Sequence, residues 1–258
     1  MPPADHARRG KRTIDLSAVA DLLWRATPDH AEEHRARLSA ELIVETAIAL
    51  AEVEGLDALS MQRIASELGC TAMALYRHIP SKNQLLAAMT DAATGRPPAP
   101  AAATAWRSEI EGWVDALWGL YLRHPWILQA PTFSAPVGPN ELAWFEALLS
   151  PLHRAGLDRG ELIPLATFIS SAVRDLARVA TELDPAGAAA YGQVLAERLD
   201  PEQFPTLSSL TGGDGLDEAE DGDVTPIVHL GIQRLLDGIE ARAHANSLSA
   251  PDKEERHG

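Results

Sequence analysis

Leu59-Ser60-Met61-Gln62-Arg63-Ile64-Ala65-Ser66-Glu67-Leu68-Gly69-Cys70-Thr71-Ala72-Met73-Ala74-Leu75-Tyr76-Arg77-His78-Ile79-Pro80-Ser81-Lys82-Asn83-Gln84-Leu85-Leu86 holds three helix starts and two stops in quick succession. Ser60 is placed to cap a helix over residues 61–68, with Leu59 and Ile64 as its hydrophobic staple and Gly69 as the left-handed residue that ends it. Thr71 caps a second helix running to Ile79, where Pro80 forces a stop. Ser81 and Gln84 form a capping box for a third. Two helices joined by so short a turn cross steeply, and the second is held out where a DNA major groove can receive it. The pattern is that of a helix-turn-helix reader.

Helical spacing divides the second helix. At 100° per residue, Ala72, Leu75, Tyr76 and Ile79 share one side and Met73, Ala74, Arg77 and His78 the other; the first set is expected to pack inward. The small residues at the N-terminal end, Thr71, Ala72 and Ala74, permit close approach to base edges. Met73 and Ala74 suit contact with a thymine methyl, and Arg77 a bidentate bond to guanine O6 and N7. Tyr76, His78 and Lys82 are placed to hold phosphates, Lys82 at a helix N-terminus whose free N–H groups also favour an anion.

Gly69, Leu75-Tyr76-Arg77-His78 and Ser81-Lys82-Asn83-Gln84-Leu85-Leu86 together make residues 38–95 resemble the DNA-binding domain of the tetracycline-repressor-like (TetR/AcrR) family of bacterial regulators. The resemblance implies a preceding helix, and residues 39–54 fit it, with Ser39 as cap, Leu38 and Ile43 as staple, an apolar stripe through Ile43, Ala47, Leu50 and Ala51, and Gly55 as stop. It also implies that Gln62 reaches the groove edge as a second base reader.

The chain has 258 residues, more than one domain usually needs, and no strand-like alternation of any length. The expectation is an all-α protein: an N-terminal extension over 1–37, a helix-turn-helix domain over 38–95, a larger helical ligand-binding and dimerisation domain over 104–246, and a tail over 247–258. Gly95-Arg96-Pro97-Pro98-Ala99-Pro100 cannot continue a helix and reads as the connector. No export signal and no membrane-spanning run is apparent, and Cys70 is the only cysteine, so no internal disulfide forms; a cytoplasmic protein is expected.

A formal charge of −15 sits awkwardly with a polyanionic partner. Its distribution helps: residues 1–91 carry −3 and residues 92–258 carry −12, while residues 60–82 hold Arg63, Arg77 and Lys82 against Glu67 alone. Screening beyond ~8–10 Å makes the local patch matter more than the total. Ahead of it, Arg8-Arg9-Gly10-Lys11-Arg12 is a basic cluster followed by an amphipathic stretch, 16–25. His30 and His34, four apart, lack the glutamate after the first histidine and a third ligand, so no metal is expected.

Beyond residue 104 helical patterning resumes. Trp106, Ile110, Trp113, Leu117, Leu120 and Tyr121 keep 3–4 spacing until His124-Pro125, Trp126–Ala130 is a short turn, and Leu142, Phe145, Leu148, Leu149 and Leu152 mark another helix. The segments Leu162–Leu183 and Pro226–Ala245 are long and apolar. The latter resembles the last helix of the tetracycline-repressor branch, Trp106 and His124-Pro125 resemble other parts of that branch, and the resemblance implies a homodimer formed by these two helices. It also implies a small-molecule effector. Trp113, Leu117, Tyr121, Trp126, Phe133, Trp144, Phe168 and Ser171 are the candidate lining, with Ser134 and Arg174 as further polar groups, although any single ring is better explained by core packing. Gln129-Ala130-Pro131-Thr132-Phe133 lacks the histidine that magnesium-tetracycline recognition requires, so no metal or cofactor is carried over. The acidic, glycine-rich run 211–223 lacks calcium-loop spacing.

No nucleophile elbow, phosphate-cradling glycine loop or productive carboxylate or histidine cluster supports an enzyme. Two readings remain: a repressor that binds a palindromic double-stranded DNA operator as a homodimer and is released by its effector, or a helical small-molecule-binding adaptor without operator binding.

Overall fold

The computed structural model describes residues 15–24, 38–99, 104–130, 136–182, 190, 193–194, 197–211 and 225–249. Among these residues the protein is all-α, with no strand. The basic cluster 8–12, His30 and His34, Phe133 and Ser134, and the acidic run 212–223 lie outside the described residues. No described helix is long and apolar enough to cross a membrane. The chain divides into two compact units, one of residues 1–95 with 130–142 and one of residues 96–129 with 143–258.

In the first unit, α1 (Leu16–Leu23), α2 (Ala40–Glu54), α3 (Met61–Glu67), α4 (Ala72–His78) and α5 (Lys82–Thr94) follow one another. Their starts are set by local chemistry. Ser39, Ser60, Thr71 and Ser81 each adopt extended backbone and accept an N–H from the residue three positions on, at 3.1–3.3 Å. Gly55 and Gly69 have φ of +80° and +63°, so the α2 and α3 stops need a residue without a Cβ. Leu59 and Ile64 are buried as the staple requires. α5 is the central rod: residues 84–89 are all buried, with α1 and α2 packed along it and α3 joined to α2 and α4.

At Ser81 the capping box takes a variant form. The Ser81 hydroxyl donates to Gln84 Oε1 at 3.1 Å, and Gln84 Nε2 donates to the Ala18 carbonyl at 3.0 Å. A buried amide therefore fastens α1, whose own cap is Asp15 and whose Val19 is buried, to the start of α5.

α8 (Pro139–Arg154) begins within the first unit, and its first turn is capped from a distance. Pro139 occupies the first helical position and Glu141 reaches back to the Gly138 N–H at 3.3 Å, yet Gly138 has no side chain to cap with. Asp91 of α5 supplies it: Oδ1 accepts from the Asn140 N–H at 2.9 Å and the Glu141 N–H at 3.0 Å, and Oδ2 accepts from Asn140 Nδ2 at 3.1 Å. Burial pushes the Asp91 carboxyl above its ordinary value, while the N–H groups of Glu141 and Asn140 pull it back. Trp24, just past α1, donates its indole N–H to the Val137 carbonyl at 3.1 Å, joining α1 to the same segment.

The second unit contains α6 (Trp106–Arg123), α7 (Trp126–Gln129), the remainder of α8, α9 (Arg159–Glu182), α10 (Pro205–Thr211) and α11 (Thr225–Ser249). α9 packs on α6, α7 and α11 through Ala166, Ile169, Val173 and Ala177. α11 buries Val228, Ile232, Leu236 and Ile239 at helical spacing. Arg107 joins α6 to α11, bonding Asp237 at 2.7 Å and Glu240 at 3.3 Å.

Candidate functional site

Leu75 and Ile79 anchor α4 and are fully buried, while Met73, Arg77 and His78 are exposed, Met73 to 70 %. A seven-residue helix with two anchors on one side necessarily presents the other. Ala72 and Ala74 are half-buried and Thr71 exposed, so the N-terminal end is slender. Tyr76 departs from the inward packing expected of it: it is 41 % exposed, at the rim of the packed face, because Leu75 and Ile79 already fill the contact with the domain. Gln62, at the second position of α3, is exposed as well.

The local basic patch is smaller than the sequence count. Arg63 bonds Glu54 Oε1 and Glu67 Oε2, each at 2.7 Å, and these two carboxylates hold its guanidinium well above the usual range. The Glu54 carboxyl is lowered in return. Arg63 thus braces α2 against α3 and is neutralised there. Lys82 Nζ donates to the Leu59 carbonyl at 2.7 Å, tying the start of α5 to the loop before α3. An ammonium has three donors, so Lys82 keeps capacity for a phosphate, but it also has a structural duty that sequence spacing did not indicate. Among the described residues, Arg77, His78 and Lys82 are the basic side chains left on α4 and at the start of α5.

In the second unit most of the described candidate ligand-lining residues are withdrawn from solvent. Trp113, Leu117, Trp126 and Trp144 are buried and Tyr121 is half-buried. Trp113 donates its indole N–H to the Trp144 carbonyl at 2.9 Å, and the two rings meet edge to face at 5.8 Å. Arg174 of α9 lies 5.8 Å above the Tyr121 ring and donates to the Ile127 carbonyl at 3.1 Å. Two separate contacts are thus defined in this unit: the paired indoles of Trp113 and Trp144, and the Arg174 guanidinium over the Tyr121 phenol. Phe168 and Ser171 are not buried with these residues. Both are exposed, Phe168 to 59 %, on the side of α9 opposite its buried stripe. A helix apolar on two faces does not declare in sequence which face meets which partner.

Residues 43–89 match the family model of "Bacterial regulatory proteins, tetR family", and residues 98–243 match that of "Tetracyclin repressor-like, C-terminal domain". The chain is 31 % identical over 251 residues to the HTH-type transcriptional repressor DrrR1 of Streptomyces coeruleorubidus, covering 92 % of this chain and 90 % of that protein. It is 27 % identical over 219 residues to an HTH-type transcriptional regulator of Saccharopolyspora erythraea, covering 84 % of this chain and 90 % of the relative. Among solved structures, Streptomyces coelicolor ActR in complex with actinorhodin superposes with a TM-score of 0.69 at 26 % identity, over 80 % of this chain and 99 % of ActR. With both of its units matched in order, the chain belongs to the tetracycline-repressor (TetR) family of bacterial transcription regulators.

Proposed function

We infer that the protein is a ligand-responsive repressor: a homodimer that occupies a palindromic double-stranded operator and leaves it when a small-molecule effector binds the helical second unit. The observation that carries this reading is α4, anchored by Leu75 and Ile79 with Met73, Arg77 and His78 projecting from its far side. One short helix reads few base pairs, so two copies are needed, about 34–36 Å apart on successive major grooves. Surfaces suited to pairing the subunits are present in the second unit: α9 exposes Ile163, Phe168 and Val179, and α11 exposes Ile227 and Leu230. Phe168 and Ser171 are accordingly assigned to this face of α9. The effector is assigned to the core of Trp113, Leu117, Tyr121, Trp126 and Trp144 with Arg174; ActR, a relative with the same fold, binds actinorhodin. Acting on DNA places the protein in the cytoplasm.

Release requires the effector to prefer a DNA-incompetent conformation by its own differential affinity, and coupling of ~1–3 kcal/mol is the usual scale. Gel retardation on the DNA upstream of the protein's own gene tests the reading. Arg77→Ala should weaken a specific complex by about 1–3 kcal/mol, on the order of 5- to 150-fold, and relax the preference at one base pair of each half-site. Absence of any retardation at low salt would instead favour a ligand-binding adaptor.

A further inference from the structure

α1 lies outside the family match, which begins at residue 43, yet it is tied into the first unit at both ends. In its first turn the Ala18 carbonyl accepts from Gln84 Nε2 at 3.0 Å, and Gln84 is in turn held by the Ser81 hydroxyl at the start of α5. Just past its last turn the Trp24 indole N–H donates to the Val137 carbonyl at 3.1 Å. The two ties differ in kind. Gln84 is only 8 % exposed, and a buried amide left without its partner costs more than the bond itself contributes, so this end is fixed. Trp24 is 60 % exposed, and water can replace the Val137 carbonyl at little net cost, so this end opens and closes. The eight-residue helix between them, about 12 Å long at ~1.5 Å per residue, moves as one piece.

Each tie leads to a part of the protein with a role already assigned. Gln84 stands two residues after Lys82, at the end of α5 given to operator phosphates. Val137 stands just ahead of Asn140 and Glu141, whose N–H groups Asp91 caps from the other end of α5. α8 runs on from this turn to Trp144, one of the residues assigned to the effector. We propose that α1 is a strap, hinged at Gln84 and latched by Trp24 on Val137, that couples operator occupancy to the first turn of α8. Phosphate contact orders the start of α5 and with it the hinge. A settled hinge holds α1 where the indole reaches Val137, and the closed latch steadies the turn that Asp91 caps. Linkage makes the coupling reciprocal: breaking the latch weakens the operator complex by the factor by which the operator favours the closed latch. This inference rests on the operator-binding reading above and adds an element outside the reader that takes part in it.

The test uses the full-length protein and Trp24→Phe, which keeps an aromatic ring but removes the N–H, with a duplex from the upstream DNA that the parent retards. Amide hydrogen exchange of peptides covering residues 137–142 is followed by mass spectrometry with and without this duplex, and operator affinity is measured by fluorescence anisotropy. In the parent, saturating duplex should slow exchange of this segment by about two- to fivefold, the weight of one exposed hydrogen bond. In Trp24→Phe the slowing should vanish, and operator affinity should fall by the same factor. Exchange that is faster in the variant with and without DNA, but slowed by DNA as much as in the parent, marks a merely structural Trp24 and overturns the strap. So does a parent whose 137–142 segment exchanges alike in both conditions. A parent that retards no upstream duplex would overturn the regulator reading, and the strap with it.

Discussion

Replacing Gly138 with alanine reverses a familiar sign. At a site whose backbone suits any residue, Gly→Ala stabilises by about 0.4–1 kcal/mol because the unfolded chain loses freedom. Gly138 is absent from the positive-φ glycines, so its backbone presents no obstacle. Its surroundings do: a Cβ there would lie 2.0 Å from Asp91 Oδ1, 2.3 Å from Cγ and 2.7 Å from Cβ. The far end of a long, exposed side chain could swing away at little cost. Asp91 cannot, being buried and held by the Asn140 and Glu141 N–H groups and by the Asn140 amide.

Expelling the carboxylate removes the cap of α8, a loss on the order of 0.5–2 kcal/mol. It also leaves a buried carboxyl and two N–H groups unsatisfied, each at about 1–3 kcal/mol before relaxation. With partial relaxation, Gly138→Ala should destabilise the first unit by about 2–4 kcal/mol, lowering Tm by about 5–15 °C. Thermal and urea denaturation followed by circular dichroism would measure this. A double-mutant cycle identifies the cause: in an Asp91→Ala background two of the three close contacts vanish, and the same glycine substitution should cost under about 1 kcal/mol. A Gly138→Ala protein as stable as its parent, or a cost that is purely additive with Asp91→Ala, would refute the tertiary cap.

The same carboxyl gives a pH signature. Because the folded Asp91 pKa is raised, the folded state holds its proton to higher pH than the unfolded state, so this group's contribution falls as pH rises from the ordinary aspartate value through the raised one; Asp91→Asn should abolish that slope, read as the parent-minus-variant difference across acid urea titrations. Leu230→Asp, at a position 56 % exposed in the protomer, should shift the dimer to monomer in analytical ultracentrifugation without lowering helix content, and an unchanged dimer would remove α11 from the interface. Arg174→Ala should weaken effector binding by about 5- to 100-fold by removing the cation above Tyr121, read by tryptophan fluorescence titration with actinorhodin as first probe; unchanged binding of an accepted ligand would place the guest elsewhere.

What the sequence revealed and what it hid follow from distance along the chain. Ser39, Ser60, Thr71 and Ser81 bond an N–H three residues away, so residue type and spacing suffice to place every helix start from α2 to α5. Asp91 caps a helix starting at Pro139, and only an indirect trace exists: Gly138-Pro139-Asn140-Glu141 has the proline and glutamate of a helix start but no capping side chain. Arg63 illustrates a middle case. Glu67, four positions on, was legible as a partner, but Glu54 arrives only because Gly55 turns the chain back. For α4 and α9 the period was clear and the partner of each face was not, which is why Tyr76 sits further out than its helical position suggested, and Phe168 and Ser171 away from the indoles.

Charge then explains how an acidic chain can regulate DNA at all. Non-specific affinity grows with the phosphates neutralised, and here the braced Arg63 and the partly engaged Lys82 leave the helix-turn-helix with few free cations. The base contacts proposed for Met73 and Arg77 would lose nothing from this, because each would depend on hydrogen-bond and methyl complementarity in the groove, and a wrong base pair costs about 1–3 kcal/mol. Occupancy in a genome depends on the ratio of specific to non-specific binding, so lowering the sequence-blind part while keeping the sequence-reading part raises selectivity. A mobile counter-example is easily made: adding cations at the surface, for instance Glu52→Lys and Glu67→Lys together, should raise affinity for unrelated duplex more than for the operator, and so narrow the very difference on which repression depends.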